Sequence, residues 1–515
     1  MRRPAVLALV VVVLVGVLTA GVGAAVLVSL SRSPRPAASA SAEAAWPKPA
    51  AIDWTTCSDA SLRASDAECA VVRTPMDWGS PRDGRTVRIA ISRVRHTATP
   101  YAGVMLANPG GPGGSGLGLA TLGANVPGGV GARYDWIGFD PRGVGSSRPR
   151  LSCDADYADG ARPPYTPATP ANVQAWRQRT EAYAAACGQR NGDLLEHMTT
   201  RDAANDLEYL RLALEVPRIN YYGFSYGTYL GQVYATLYPS RVGRMVLDST
   251  VDPTRVWYGA NLDQDEAFQT AIERWFSWLA KHDDVYRLGS TKDAVEAAYQ
   301  RLGDRLAAAP SAGVFGSAEL ADTLLYAGYS QGLWADLGRA FSEASRGDTT
   351  LARSSWRGLN ETTDDNGYAA YLAVECTDQA WPGEWSTWAT DATRMDRDAP
   401  FETWPNTWFN APCRTWPAKA STPVDVDGSK VGPILMIDET LDAATPYSGS
   451  LVVRGLFPKA RLLAEPGGTS HADSLGGNTC VDGRIAAYLR DGSLPARKAG
   501  EGPDATCAPL PEPTP

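Results

Sequence analysis

The feature that most constrains the fold of this chain is a glycine-flanked serine, Gly223-Phe-Ser-Tyr-Gly227, set between two contrasting runs. The run before it, Ile219 to Phe224, is short and β-prone, and the run after it, Thr228 to Tyr238, is helix-compatible and stops before Pro239. A strand that turns directly into a helix at Gly-x-Ser-x-Gly has no room for side chains two residues either side of the serine. The serine is then forced into a strained, exposed position at the helix N-terminus. A β–α turn whose serine merely caps the helix is the alternative interpretation, so the rest of the chain must decide between them.

Strand and helix patterns alternate on both sides of Ser225. From Thr200 a helix is indicated by Ala203, Leu207, Leu210 and Leu214, which share one face. Continuous apolar runs of the kind buried in parallel sheets occur before and after it, at Gly103–Asn108, Tyr134–Asp140, Arg244–Asp248, Pro433–Asp438 and Ala460–Ala464. The alternation predicts the α/β class, with a doubly wound, mostly parallel sheet closed by a helix near residues 481–490.

Residues 256 to 400 interrupt this alternation. They show only helical patterns, at Asp265–Lys281, Thr291–Ala309 and Ser317–Glu343, and are too long for a loop in a compact domain. We therefore predict an inserted helical cap, and we expect most of the tryptophans clustered near its end to pack within it. The predicted division is a leader with linker (1–45), the first part of the α/β core (46–255), the cap (256–410), the C-terminal part of the core (411–495) and a Pro-rich tail (496–515) tethered only by Cys507.

The N-terminus carries an export signal. Met1-Arg-Arg3 precedes an uncharged apolar run from Pro4 to Leu30. The run is long enough to span a bilayer, so an uncleaved anchor through residues 4–30 and a signal peptide cleaved near Ala38-Ser-Ala40 both stay open. Either alternative places the folded part outside the cytoplasm, secreted or held on the outer face of the membrane.

Eight cysteines form an even set, which in an exported chain indicates disulfides. The simplest pairing joins neighbours along the sequence: Cys57–Cys69, Cys153–Cys187, Cys376–Cys413 and Cys480–Cys507.

Composition excludes other classes of function. The net charge is −9, with no basic patch of the kind that binds nucleic acid. The four histidines are scattered and none forms a metal-ligand pair at helical spacing, so we expect neither a metal nor a cofactor. Gly111–Gly116 matches the dinucleotide fingerprint formally, but prolines interrupt the turn and no acid-ended strand follows at the expected distance. We therefore do not predict a dinucleotide-binding site there.

A serine nucleophile needs a base, and the base needs an acid that fixes its tautomer. On this type of sheet the expected order is Ser, acid, His, with each residue on a loop after a strand. His471 follows the last strand, whereas His282 lies among charged residues of a predicted helix. Asp442 is the preferred acid, because it lies one turn beyond the strand end, where a loop can aim it at the histidine. Glu439 is the fallback. Asp438 sits at the strand end, where a structural role is expected.

Acyl transfer also needs two N–H donors for the oxyanion of the tetrahedral intermediate. One is the backbone N–H of Tyr226, next to the serine. The other is expected in the glycine turn after the early strand, at Gly110 or Gly111, where missing side chains let a carbonyl approach.

Six motifs together resemble those of the exported tripeptidyl aminopeptidases of actinobacteria, among the proline-iminopeptidase-like α/β-hydrolases. They are Asn108–Gly116, Gly138–Gly145, Thr200–Asp206, Gly223–Thr228, Leu247–Pro253 and Leu441–Pro446. The resemblance implies an α/β-hydrolase fold, a Ser225–Asp442–His471 triad, and release of short peptides from free N-termini beneath a helical cap.

The substrate is less constrained than the machinery. Glu375 and Asp378 are candidates for binding a substrate ammonium group, although a polar patch beside a disulfide is an equal interpretation. An exported carboxylesterase with the same triad is the alternative enzyme, and a non-catalytic surface protein on a hydrolase scaffold is the alternative outside enzymes.

Overall fold

The computed structural model describes residues 46–360 and 364–515, so the predicted signal peptide or anchor lies outside the described residues. Its centre is a ten-stranded sheet with the order β1-β2-β3-β5-β4-β6-β7-β8-β9-β10. The strands are β1 (Thr55–Thr56), β2 (Glu68–Pro75), β3 (Thr86–Val94), β4 (Gly103–Asn108), β5 (Tyr134–Phe139), β6 (Ile219–Phe224), β7 (Val242–Asp248), β8 (Leu435–Glu439), β9 (Arg461–Glu465) and β10 (Ala505–Thr506).

The sheet is parallel from β5 through β4 to β10, and its β1–β3 edge is antiparallel. Neighbouring residues along each central strand lie on opposite faces of the sheet and pack into different apolar clusters. Leu106 and Tyr221 belong to one apolar cluster, while Met105 and Tyr222 belong to another on the opposite face. Both faces are covered by helices, which confirms the predicted α/β architecture.

The helices include both sheet-flanking and inserted elements. They are α1 (Ala60–Ala64), α2 (Pro170–Asn191), α3 (Thr200–Ala213), α4 (Tyr226–Leu237), α5 (Tyr258–Lys281), α6 (Asp283–Tyr286), α7 (Lys292–Ala308), α8 (Ser317–Tyr329), α9 (Trp334–Ser345), α10 (Thr350–Leu359), α11 (Asn366–Asp378), α12 (Trp385–Met395), α13 (Thr403–Asn410), α14 (Tyr447–Leu456) and α15 (Thr479–Asp491).

Two helical predictions need correction. Residues 150–198, for which no element is predicted above, contain the long helix α2, whose buried face mixes Trp176 and Tyr183 with Thr180 and Ala184 and so lacks a clear apolar period. The single helix predicted over Ser317–Glu343 is two helices, because Ser330 is extended (φ −152°, ψ 123°) and its hydroxyl accepts the Gly332 N–H. This break places the end of α8 beside the active site described below.

Between β7 and β8 the described residues contribute no strand to the sheet. Helices α5 to α10 build an apolar core of their own, which includes Trp275, Phe276 and Trp334. Helix α11 instead packs its Ala369 and Leu372 into the core of the sheet. The inserted segment is therefore two layers, an outer helical layer and an inner one that continues the sheet's core.

The tryptophans near the end of the insertion pack mainly against one another. Trp381 stacks on Trp388, and Trp408 stacks on both Trp385 and Trp404. Trp388, Trp404 and Trp408 are buried. This agrees with the expected packing role.

Four disulfides join the cysteines that neighbour each other in sequence, as predicted. The prediction that the tail is held only by Cys507 is wrong. Residues 505–506 form β10 beside β9, and buried Asp504 pairs with Arg454 at 2.7 Å. Polar contacts, rather than buried apolar side chains, hold the tail against the core. The composition of the tail therefore did not indicate that it is held.

Within residues 46–360 and 364–515, no helix has the length and apolar character needed to cross a membrane.

Candidate active site

Ser225 occupies a strained turn between β6 and α4. Its backbone lies at φ 56° and ψ −129°, a region that few residues other than glycine adopt. A Cβ at Gly223 would lie 2.5 Å from the Gly227 carbonyl oxygen, and one at Gly227 would lie 2.7 Å from the Asn108 carbonyl oxygen. The two flanking glycines are thus required by close backbone contacts, and the turn has the geometry expected of a nucleophile elbow rather than of an ordinary helix cap.

The end of β7 ties this elbow to the loop that carries His471. The Asp248 carbonyl accepts the Ser225 N–H at 3.0 Å, and its carboxylate accepts the Ser474 N–H at 3.0 Å. Ser249 Oγ accepts the Ala472 N–H at 2.7 Å. Two adjacent residues therefore fix the serine turn and the histidine loop relative to one another.

Asp442 and His471, the predicted acid and base, contact one another directly. His471 Nδ1 lies 2.8 Å from Asp442 Oδ2 and 3.0 Å from Oδ1. The carboxylate is fully buried and also accepts the N–H groups of Ala444 and Thr445 and the Thr445 hydroxyl. These donors hold the carboxylate in the orientation that fixes the imidazole tautomer with Nδ1 protonated.

The pKa of His471 is raised above its ordinary value of 6.5. Burial by itself disfavours the imidazolium, but the adjacent Asp442 carboxylate, with Asp248 further away, more than offsets it. Among the described residues no hydrogen bond joins Ser225 to His471. Unliganded hydrolases often form this contact only when substrate binds.

The glycine turn after β4 lies against the serine. A Cβ on Gly110 would stand 2.7 Å from the Ser225 Cβ, so this approach requires glycine. However, the Gly110 N–H donates to Asn108 Oδ1 at 3.0 Å. Of the two predicted donors in this turn, Gly111 is therefore the one left to join Tyr226.

A cavity of about 560 Å³ opens above Ser225, bounded by the glycine turn and the inserted helices. Its described lining includes a single basic residue, Arg162, whose guanidinium pairs with Glu319 and Asp322. The acidic residues of the lining number seven: Asp252, Asp263, Asp322, Asp364, Asp365, Glu375 and Glu402.

The sequence pattern of the family described as the alpha/beta hydrolase fold matches residues 103–472. The chain belongs to this α/β-hydrolase family. It is 41% identical over 487 residues to a tripeptidyl aminopeptidase of Streptomyces coelicolor, which covers 92% of this chain and 88% of the relative. It is also similar to the serine protease Hip1 of Mycobacterium tuberculosis (31% identity; 86% and 89% covered) and to carboxylesterase B of the same species (30%; 86% and 88%).

Within this hydrolase, the two residues predicted to bind a substrate ammonium lie in different surroundings. Glu375 lines the cavity, and burial raises its pKa to about 8 despite hydrogen bonds from Tyr371 and Asn261. Asp378 accepts the Thr200 N–H and hydroxyl at 2.7 and 2.6 Å, so its carboxylate caps α3 instead of facing the cavity. We therefore retain only Glu375 as a candidate.

Sequence reasoning missed Glu402, which precedes α13 and also lines the hydrolase cavity. No hydrogen bond or ion pair to its carboxylate occurs within the described ranges, and burial raises its pKa well above the ordinary value. A buried carboxylate without a partner in a cavity is a candidate for binding a cationic ligand. Its place beside the tryptophan cluster was visible in the sequence, but its burial was not.

Proposed function

We propose that this hydrolase is a serine exopeptidase that releases tripeptides from free N-termini. The observation that carries the proposal is the acidic lining of the cavity above Ser225. Three of its seven carboxylates bind arginines: Asp322 binds Arg162, Asp364 binds Arg150 and Asp263 binds Arg255. Asp252 and Asp365 accept hydrogen bonds from backbone N–H groups. Glu375 and Glu402 have no cationic partner among the described residues, so a substrate ammonium would supply one. A peptide C-terminus, by contrast, would meet only an arginine that is already paired.

In this proposal Ser225 Oγ attacks the scissile carbonyl while His471 accepts its proton, and Asp442 stabilises the resulting imidazolium. The backbone N–H groups of Gly111 and Tyr226 stabilise the oxyanion. Collapse of the intermediate breaks the C–N bond, and His471 donates the proton to the leaving amine. Water activated by His471 then hydrolyses the acyl-enzyme and frees the N-terminal fragment.

Helix α11 supports a fragment of about three residues. At its start, Gly367 lies against the glycine turn, because a Cβ on Gly113 would come within 2.4 Å of the Gly367 carbonyl oxygen. Glu375 lies eight residues further along, about 12 Å at the helical rise per residue. An extended tripeptide spans about 10 Å. A peptide whose ammonium binds Glu375 therefore presents its third carbonyl near the glycine turn.

An exported carboxylesterase remains the second candidate, because one relative at 30% identity is named carboxylesterase B. Tripeptide amides with free and acetylated N-termini separate the two. For the exopeptidase we expect the free form to have a kcat/KM about 100-fold higher, since the charge-assisted hydrogen bond between the ammonium and a buried carboxylate is lost on acetylation. Equal rates on both, with faster turnover of simple esters, would contradict the proposal, and a free-terminus peptide library would give the released length.

Glu375 and Glu402 can be tested by Glu375→Gln and Glu402→Gln. Each is expected to lower kcat/KM for free tripeptide amides about 10- to 100-fold and to leave a small ester unaffected. Because the pKa of Glu375 is about 8, its carboxyl is largely protonated in the empty enzyme at pH 6 and ionises as the pH rises. The substrate amine loses its proton near pH 8. The KM of the free amide should therefore be lowest near pH 8 and rise on both sides.

Asp378→Asn provides the matched control. It removes a buried carboxyl of the same helix that is not itself part of the cavity lining, so the ratio of free to acetylated substrate should stay as in the wild type. A fall in this ratio in Asp378→Asn, with none in Glu375→Gln, would assign the ammonium site to Asp378.

We further propose that the enzyme acts outside the cytoplasm, secreted or tethered through residues 4–30. The four disulfides support this location, because cytoplasmic proteins rarely keep such bonds.

A further inference from the structure

The loop that carries His471 is held from the side of the inserted helices as well as from the sheet. The His471 N–H donates to the Tyr329 carbonyl at 2.8 Å, and the Tyr329 ring stands edge-on to the imidazole with centroids 5.7 Å apart. The Gln331 N–H donates to Ser470 Oγ at 3.4 Å. The end of α8 and the turn after it therefore contact two successive residues of the histidine loop.

This turn is held in its own place by the end of the chain, residues 508–515, which we name the C-terminal strap. The strap leaves the core at Ala508, just after the Cys480–Cys507 disulfide, where its carbonyl accepts the Asn478 side chain at 2.9 Å. It then crosses to the inserted helices. The Leu510 carbonyl accepts Gln331 Nε2 at 3.2 Å, and the Pro513 carbonyl accepts Trp278 Nε1 at 3.2 Å.

The composition of the strap suits it to hold the turn after α8 in place. Every second residue from Pro509 to Pro515 is proline, which restricts the backbone and supplies no N–H. The strap can therefore contact its neighbours through carbonyl oxygens, as it does at Leu510 and Pro513, and it loses less conformational entropy on docking than a flexible tail would.

We propose that Gln331, anchored by the C-terminal strap, is a positioning residue for His471. Its side chain binds the strap, its main chain binds Ser470, and Tyr329 two residues earlier binds the His471 backbone. Gln331 is largely buried, with 8% of its surface exposed. Loss of the strap contact would let the turn move away from the histidine loop. A displacement of about 1 Å in a catalytic group lowers a rate about 100-fold.

The inference rests on the proposed triad but not on the peptide specificity, so the test uses a small activated ester and the rate of Ser225 labelling by a fluorophosphonate. Gln331→Met keeps the side-chain length and removes the donor, and a chain ending at Pro509 removes the acceptor. Each is expected to lower kcat/KM for the ester and the labelling rate about tenfold or more. Combining the two should lower them no further, because the Gln331–Leu510 contact is already lost in each variant alone.

The pH profile separates positioning from stability. The raised pKa of His471 depends on its contact with Asp442. Displacement of the histidine loop should therefore move the acid limb of kcat/KM to lower pH in both variants. The control Glu512→Gln removes exposed ion pairs of the strap with Arg274 and Lys281 and should stay within twofold of the wild type.

Unchanged rates and an unchanged acid limb in Gln331→Met and the shortened chain, with only a lower Tm, would overturn the inference and leave the strap a purely stabilising element. An equal loss in Glu512→Gln would also overturn it, since Gln331 would then not be the contact that matters. Failure of the wild-type protein itself to label would reject the proposed nucleophile and this inference together, whereas failure to cleave peptides while labelling normally would affect only the proposed function.

Discussion

Replacing Ser225 by alanine should lower kcat for tripeptide amides about 10⁶-fold, the loss typical of removing the nucleophile of a serine hydrolase. The residual rate would come from the Gly111 and Tyr226 N–H groups and from substrate binding, which do not need the hydroxyl. The measurement is steady-state turnover at high enzyme concentration, together with fluorophosphonate labelling, which should disappear.

The fold should survive this change. Alanine keeps the Cβ of Ser225, so the positive φ of the elbow and its contacts with Gly110 are the same in both proteins. Tm is therefore expected to move by no more than a few degrees. His471→Ala is the matched control, because a triad acts as a unit and the double variant should be no slower than either single one. Labelling that persists in Ser225→Ala would place the nucleophile elsewhere.

The sequence predicted those parts of the site that follow strands recognisable from their apolar runs. Ser225 and the glycine turn follow β6 and β4 directly, and His471 lies six residues after β9. Gly223 and Gly227 predicted the tight turn correctly, because close backbone contacts permit no other residue at these two positions. Continuous apolar runs predicted the strands, and the carboxyl ends of parallel strands must share one edge of the sheet.

The parts that were missed depend on contacts between distant segments. The choice between Gly110 and Gly111 is decided by the Asn108 side chain, whose direction no pattern reveals. Glu375 and Asp378 are three residues apart on one helix, and only the docking of α3 against Asp378 separates their roles. The contact of Gln331 with Leu510 spans 179 residues and joins two segments that look like a helix interior and a loose tail.

Replacing Asp442 by asparagine should lower kcat about 10⁴-fold, because the amide favours the wrong imidazole tautomer while keeping the shape of the side chain. The pH dependence should change as well. In the wild type, Asp442 raises the pKa of His471 above 6.5 against the opposing effect of burial. Below this pKa the base is protonated, so kcat/KM falls as the pH is lowered. In Asp442→Asn the burial remains and the carboxylate is gone, so the acid limb should move to lower pH.

Glu439→Gln is the control that distinguishes Asp442 from the fallback acid. Glu439 accepts the Ser470 N–H at 2.5 Å, beside the catalytic histidine but without contact to the imidazole. Burial raises its pKa to about 8, so at pH 7 the side chain is largely neutral and glutamine resembles it closely. Below pH 8 we therefore expect Glu439→Gln to lose less than tenfold in kcat and to keep the acid limb of the wild type. A loss near 10⁴-fold in Glu439→Gln, with Asp442→Asn close to the wild type, would make Glu439 the acid of the triad and Asp442 a group that only shapes its loop.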